Sequence, residues 1–247
     1  MRDKIQLRVY RGDASGGETK EYAVDTYPGM VVLDAIREIQ ASQDGSLACR
    51  WNCKAAKCGS CSAEVNGKPR LMCKTRVEEV YDAAGVITVH PLKSFPIIRD
   101  LVVDVSWNYK MAETIAPLSV PDDVPRPFRM QQADVSRVQE FRKCIECFLC
   151  QNVCHVLRDH NRKDGYYGPR FMVKLASLDM HPLDDQNRRE FLHETAGIGF
   201  CNITKCCQEV CPEEIKITDN AIIPSKERVA DVYYDPVRML LRRLRRS

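Results

Sequence analysis

Residues Lys4 to Tyr10 alternate apolar and polar side chains, Ile5, Leu7 and Val9 against Lys4, Gln6 and Arg8. A period of two marks a half-buried strand. Arg11 to Gly17 reads as a turn, and Glu21 to Tyr27 as the returning strand of a hairpin. Pro28-Gly29 breaks the sheet; Val32, Leu33, Ile36 and Ile39 then recur near helical spacing and predict a short helix over 31–39. Val86 to His90 alternates again before Pro91. Prolines at 91, 96, 117, 121, 125 and 127 predict connecting chain, with an apolar stretch from Phe95 to Asp104 inside it. After Pro127 the period becomes helical, over Ala133–Lys143, Pro169–Met180, Arg188–Thr195, Asp219–Tyr234 and Pro236–Arg246, with Pro224 expected to kink the fourth. The pattern predicts an α+β chain: a mixed domain over 1–104 and an all-α domain over 105–247.

The totals narrow the class. A chain of 247 residues is long enough for two ordinary domains with cores of their own. With 44% hydrophobic and 29% charged residues it has the composition of a soluble globular protein. A net charge of +3, without an aromatic-rich basic segment, argues against nucleic acid as a partner. No apolar run approaches the roughly eighteen residues of a membrane span. Met1-Arg2-Asp3-Lys4 leads into a strand pattern with no signal-like apolar region, so the chain is expected to stay in the compartment where it is made. The thirteen cysteines are odd in number, in a chain too large to need stapling. Thiolates holding metal explain them better than disulfides.

Their spacing says which metal. Cys144, Cys147, Cys150 and Cys154 follow C-x2-C-x2-C-x3-C, in which three thiols wrap one cubane and the fourth reaches a neighbouring cluster. The reciprocal ligands are Cys201, Cys207 and Cys211, the last followed by Pro212. Steps of three in the first run would place the second run's ligands at 201, 204 and 207, but residue 204 is Thr. The expected cages are therefore [4Fe–4S] on Cys144, Cys147, Cys150 and Cys211, and [3Fe–4S] on Cys154, Cys201 and Cys207. In the N-terminal domain Cys53-x4-Cys58-x2-Cys61 with Cys73 is the plant-type [2Fe–2S] spacing. Gly59 and Ser60 are small enough there to let N–H groups approach the sulfides. Both cysteine runs of the second domain are expected as loops between helices. Cys49 and Cys206 fall outside the pattern and read as bystanders; Cys206 points elsewhere if Cys207 is bound, and could replace Thr204 as a ligand only in a distorted loop. Zinc fits poorly, since its four ligands usually fall into two separated C-x2-C knuckles. A dehydratase with a labile cluster would need a substrate pocket that nothing in the sequence suggests.

Hairpin, helix, long loop and closing strands form the outline of a β-grasp ferredoxin, and the second domain that of a two-cluster bacterial ferredoxin with inserted helices. The whole chain closely resembles the iron–sulfur subunits of succinate dehydrogenases and fumarate reductases. The resemblance rests on Cys53 to Cys61, on Arg99-Asp100-Leu101-Val102-Val103-Asp104, on Cys144 to Cys154, and on Cys201-x5-Cys207-x3-Cys211-Pro212. It implies an electron wire of the respiratory tricarboxylic acid cycle enzyme: from FAD on a partner flavoprotein subunit, through [2Fe–2S], [4Fe–4S] and [3Fe–4S], to a membrane-anchor subunit and quinone. It implies a peripheral position on the cytoplasmic face of the bacterial inner membrane. Succinate would be oxidised on the partner, so no catalytic residue is expected here, and His90 and His193 read as surface or capping residues. The alternatives are a fumarate reductase subunit working in reverse, or the iron–sulfur chain of another flavin-linked dehydrogenase complex.

Two departures stand out. Relatives usually place proline and a tryptophan-bearing aromatic stretch after the fourth cysteine of the first run, where this chain has His155, Val156, Leu157, Arg158 and Asp159. They often place histidine where this chain has Asn202. A charged pair is a poor lining for a lipid-soluble quinone, so the expected partner is an anchor with its own redox centre, haem or another cluster, at which quinone reacts. The basic tail Arg238 to Ser247 reads either as a solvated helix end or as a contact for anionic headgroups or an acidic anchor surface.

Overall fold

The computed structural model describes residues 3–237; the expected helix over 236–246 and the arginine-rich tail lie largely or wholly outside them. The chain forms two compact units that no single cut separates. One comprises 1–108, 145–153 and 210–212; the other comprises 109–144, 154–209 and 213–247.

In the first unit, β1 (Lys4–Asp13) and β2 (Gly16–Asp25) pair antiparallel in register from Lys4–Asp25 to Asp13–Gly16. The strands therefore run through most of the expected turn, and only Ala14 and Ser15 reverse the chain. Helix α1 (Val32–Ser42) follows. Strands β3 (Ser62–Val65) and β4 (Lys68–Leu71) form a second hairpin, and β5 (Val86–His90) enters between β1 and β3. The order is β2-β1-β5-β3-β4, with β1 and β5 parallel. Ile5, Leu7, Val9, Ile87 and Val89 share a core with Val32, Leu33, Ala35, Ile36 and Ile39 of α1. These spacings, two in the strands and three to four in the helix, are what one sheet face and one helix face require.

The proline-rich stretch holds more structure than its composition predicts. It contains β6 (Ile97–Arg99), β7 (Val102–Val103) and helix α2 (Ser106–Glu113). Further on, buried Arg188 holds Ala116 and Pro117 by donating to both carbonyls, at 2.8 and 2.7 Å, while pairing with Asp184.

Among the described residues every strand lies in the first unit. Helix α3 (Gln132–Gln139) passes into a 3-10 turn over Glu140–Lys143, so the expected helix over 133–143 is one continuous segment with a tightened end. The cysteine runs are not plain loops: α4 (Leu149–Val153) and, later, α8 (Cys206–Glu209) are short helices within them, and α5 (His155–Arg158) follows the first run directly. Helix α6 (Pro169–Asp179) starts on its proline and buries nearly every side. The expected helix over 188–195 is only α7 (Arg188–Glu190), followed by a π-helical turn over Phe191–Thr195. Pro224 produces no mid-helix kink, because a π-helical turn over Ile217–Ile222 ends before it and α9 (Ile223–Tyr233) begins with it in the first turn. A proline in a first turn lacks only an N–H that would be unpaired anyway. No described helix is long and apolar enough to cross a membrane.

Candidate cluster sites

The 53–61 loop is built to point N–H groups at sulfur. Lys54 and Ala56 adopt left-handed backbone conformations, with φ of 54° and 55°. Around these turns Ala55 and Lys57 both donate N–H bonds to Cys53 Sγ at 3.3 Å. Burial raises the Cys58 thiol, but hydrogen bonds from the Ser60 hydroxyl, the Cys53 N–H and the Ser60 N–H outweigh it and hold it down at about 6. The Cys61 thiol is pushed up to about 12 by burial, against an N–H bond from Cys73 at 3.5 Å. The four expected ligands thus meet through direct hydrogen bonds or charge: Cys53 with Cys58, Cys61 with Cys73 and Cys58. An all-sulfur donor set with N–H groups aimed at it fits an iron–sulfur cluster.

Gly59 does more than admit N–H groups. Its φ is +69°, and an added Cβ would lie 2.6 Å from the Cα of Cys147. Ser62 bridges the same two segments, its hydroxyl 2.8 Å from the Gly59 carbonyl and 2.9 Å from the Cys147 carbonyl. The 53–61 loop and the first cysteine run therefore touch backbone to backbone. Helix α4, which carries Cys150, is anchored by fully buried Asn152. Its amide donates to Glu64 Oε1 at 2.9 Å and accepts the Ser94 N–H at 3.0 Å, while Ser94 Oγ donates to the Asn152 carbonyl at 2.9 Å. Glu64 itself pairs with Lys93 at 3.1 Å.

The two cysteine runs share a backbone. Left-handed residues sit two and four positions after Cys144, at Glu146 and Phe148, and two and four positions after Cys201, at Ile203 and Lys205. Superposed on this pattern, Thr204 takes the place of Cys147. In the second unit Cys154, Cys201, Cys206 and Cys207 lie near one another. Burial pushes the Cys154 thiol up to about 11, against N–H bonds from Leu157 and Val156 and with Cys206 and Cys201 adding to the rise. Burial likewise pushes Cys207 up to about 12, relieved by Thr218, with Cys206, Cys201 and Cys154 all nearby. Cys206 does not point elsewhere: α8 starts there, and the thiol lies 3.4 Å from Thr204 Oγ1 beside the other three. Cys49 packs against the first unit's core, its thiol pushed up to about 12 by burial. Among the described residues no three His, Cys, Asp or Glu side chains converge as a single-ion site would require. His90 lies half-buried beside Tyr10, and His193 stacks on Tyr233 at 4.2 Å.

Two hydroxyls that the sequence did not single out face these thiols. Thr218, 1% exposed, lies 3.4 Å from Cys207 Sγ. Tyr166, also 1% exposed, hydrogen-bonds to Cys201, and burial first and then Cys201, Cys154 and Cys207 raise its phenol well above the usual value. No spacing rule points to either residue, because each reaches the cysteines only through the fold.

Fold and thiols together define an electron-transfer protein of two ferredoxin-type domains. Residues 6–110 match the 2Fe-2S iron-sulfur cluster binding domain family and residues 140–215 the 4Fe-4S dicluster domain family. The chain belongs to the iron–sulfur subunits of the succinate dehydrogenase and fumarate reductase family. It is 58% identical to a chain of the Mycobacterium smegmatis Sdh1 complex in the apo form, over 96% of this chain and 100% of that one, with a TM-score of 0.93. It is 30% identical over 224 residues to the fumarate reductase iron-sulfur subunit of Mycobacterium tuberculosis, covering 87% of this chain and 89% of that protein. An uncharacterised iron–sulfur protein of Methanocaldococcus jannaschii is 32% identical over 89% of this chain, which spans only 42% of that longer protein.

Proposed function

We propose that this chain is the electron-transfer subunit of a succinate dehydrogenase. Cys53, Cys58, Cys61 and Cys73 would hold [2Fe–2S], Cys144, Cys147, Cys150 and Cys211 [4Fe–4S], and Cys154, Cys201 and Cys207 [3Fe–4S]. In this reading residues 1–104 form the first domain and 105–247 the second. When bound, the three clusters supply one-electron carriers between FAD on a partner flavoprotein and quinone at a membrane anchor. The chain's own residues present thiolates, direct N–H and O–H groups onto them, and exclude water from Cys61, Cys150, Cys154 and Cys207. Succinate chemistry belongs to the partner.

The observation that carries the cluster assignment is the matched pair of left-handed residues in the two runs, which aligns Thr204 with Cys147 and so supports a third cage with no thiolate from residue 204. The direction is supported by the 58% identity to a chain of an Sdh1 complex. In the purified complex, EPR should resolve a [3Fe–4S] signal in the oxidised state, and succinate should reduce the clusters. Succinate–quinone turnover should exceed quinol–fumarate turnover. A complex without a [3Fe–4S] signal would remove the third assignment; faster fumarate reduction would reverse the direction.

A further inference from the structure

Two of the three thiols assigned to the third cage face a buried hydroxyl, and each hydroxyl is fixed by its own backbone. Thr218 sits in the π-helical turn over Ile217–Ile222. Gln208, next to Cys207 on α8, accepts the N–H groups of Thr218 and Asp219 at 3.1 and 3.3 Å and donates to Asp219 Oδ2 at 3.0 Å. Lys205 closes the same turn onto Asp219 at 2.7 Å. This lattice sets the Thr218 hydroxyl 3.4 Å from Cys207 Sγ.

Tyr166 is seated from the other side. Its N–H bonds to the Arg162 carbonyl at 2.9 Å, and the Tyr167 N–H bonds to the Ala196 carbonyl at 3.1 Å, five residues before Cys201. The two segments of this contact approach so closely that a Cβ on Gly197 would lie 1.8 Å from the Gly165 carbonyl oxygen. The chain thus gives up side-chain volume at 165 and 197 to bring the Tyr166 ring against the cysteine segment.

A sulfur bound to iron carries no proton, so a hydroxyl beside it must donate. A phenol with an ordinary pKa near 10 and an aliphatic hydroxyl both keep their protons at neutral pH. Reduction adds negative charge to the cage, and a donor to its sulfur favours the more negative state. We propose that Tyr166 and Thr218 are paired potential-setting donors that raise the reduction potential of the third cluster, by hydrogen bonds to Cys201 and Cys207 respectively. The inference rests on the [3Fe–4S] reading of Cys154, Cys201 and Cys207.

The test is an anaerobic redox titration of the intact complex followed by EPR of the oxidised third cluster. Tyr166→Phe keeps the ring and Thr218→Val the shape, while each removes one donor. Both should lower the midpoint, the double variant should lower it further, and Thr218→Ser should restore it towards the wild-type value. The [2Fe–2S] and [4Fe–4S] midpoints should stay put. If Thr218→Val loses the cluster, Tyr166→Phe and Thr218→Ser still decide: a Tyr166→Phe midpoint equal to wild type at full signal overturns the proposal. A wild-type complex with no [3Fe–4S] signal overturns the cluster reading and this inference with it, and is distinguishable because it appears before any substitution is made.

Discussion

Ile203 is a β-branched residue held at φ 62°, where only glycine and a few short polar residues are at ease. Such a conformation costs on the order of 1–3 kcal/mol, and Phe148, Glu146 and Lys205 share it. Repetition of the strain at matching positions shows that the backbone is shaped around the cysteine side chains rather than by local preference. In the proposed third cage Thr204 would then stand at the open corner. Thr204→Cys should supply a thiolate at that corner, allow [4Fe–4S], and lower the potential by adding negative charge. Cys206 complicates the experiment, since its thiol already lies 3.4 Å from Thr204 Oγ1. The substitution is therefore best made in wild-type and Cys206→Ser backgrounds. Loss of the oxidised [3Fe–4S] EPR signal in both is the expected outcome; its persistence in both would mean that residue 204 does not face the missing iron.

At the scale of elements, the hairpin is clamped by charge. Arg11 on β1 reaches Asp100 at 3.0 Å, Tyr22 Oη at 2.8 Å and the Asp44 carboxylate, and Asp100 also accepts the Ala48 N–H at 2.7 Å. Asp100 is only 2% exposed, so Arg11→Leu would leave its carboxylate with two N–H donors and the longer Arg99 contact at 3.7 Å, at about 2 kcal/mol in thermal or denaturant unfolding. Asp44 gives the clamp a pH dependence. Hydrogen bonds from Ser46 first, then from Tyr22, Lys20 and Arg11, hold its carboxyl well below the usual carboxylate range. A folded pKa below the unfolded one contributes stability that is complete above the ordinary aspartate value and lost as pH falls beneath it. Asp44→Asn should therefore flatten the acid limb of the stability–pH curve below about pH 4; an unchanged limb would discount the clamp. The elements themselves were legible wherever burial is one-sided: β1, β5 and α1 follow directly from their apolar spacing. Strands β3 and β4 were hidden, because Ser62 to Leu71 carries Glu64, Lys68, Pro69 and Arg70 and lacks clean alternation. Glu64 is buried there against two partners that lie outside the hairpin, Lys93 and, far along the chain, Asn152. The cysteine spacings from which the ligands are proposed stand in the sequence itself, whereas Tyr166, Thr218 and the contact of Gly59 with Cys147 exist only once distant segments are brought together.

For the molecule as a whole, the open question is where electrons leave. In the second unit α5 follows Cys154 directly, and Arg158 and Asp159 at its end form an exposed bidentate pair, at 2.8 and 3.2 Å. Beside Cys201, Phe200 and Ile203 are exposed, at 43% and 39%. Phe200 is an aromatic candidate for quinone contact, but the Arg162 guanidinium lies over its ring at 4.7 Å. Quinone packed here would have to displace or bury the Arg162 guanidinium, which is costly without a paired anion. A partner protein can supply that anion and cover the two apolar side chains in one contact. We therefore expect this surface to dock a membrane anchor that carries its own redox centre, haem or another cluster, with quinone reacting at that centre. Metal and haem analysis of the purified complex should find a centre beyond the three assigned to this chain. Arg158→Glu should weaken retention of the subunit on membranes while leaving its three EPR signals intact. Density for a quinone-site inhibitor in contact with Asn202, or with the residues following Cys154, would instead place quinone beside the third cluster and sink the expectation.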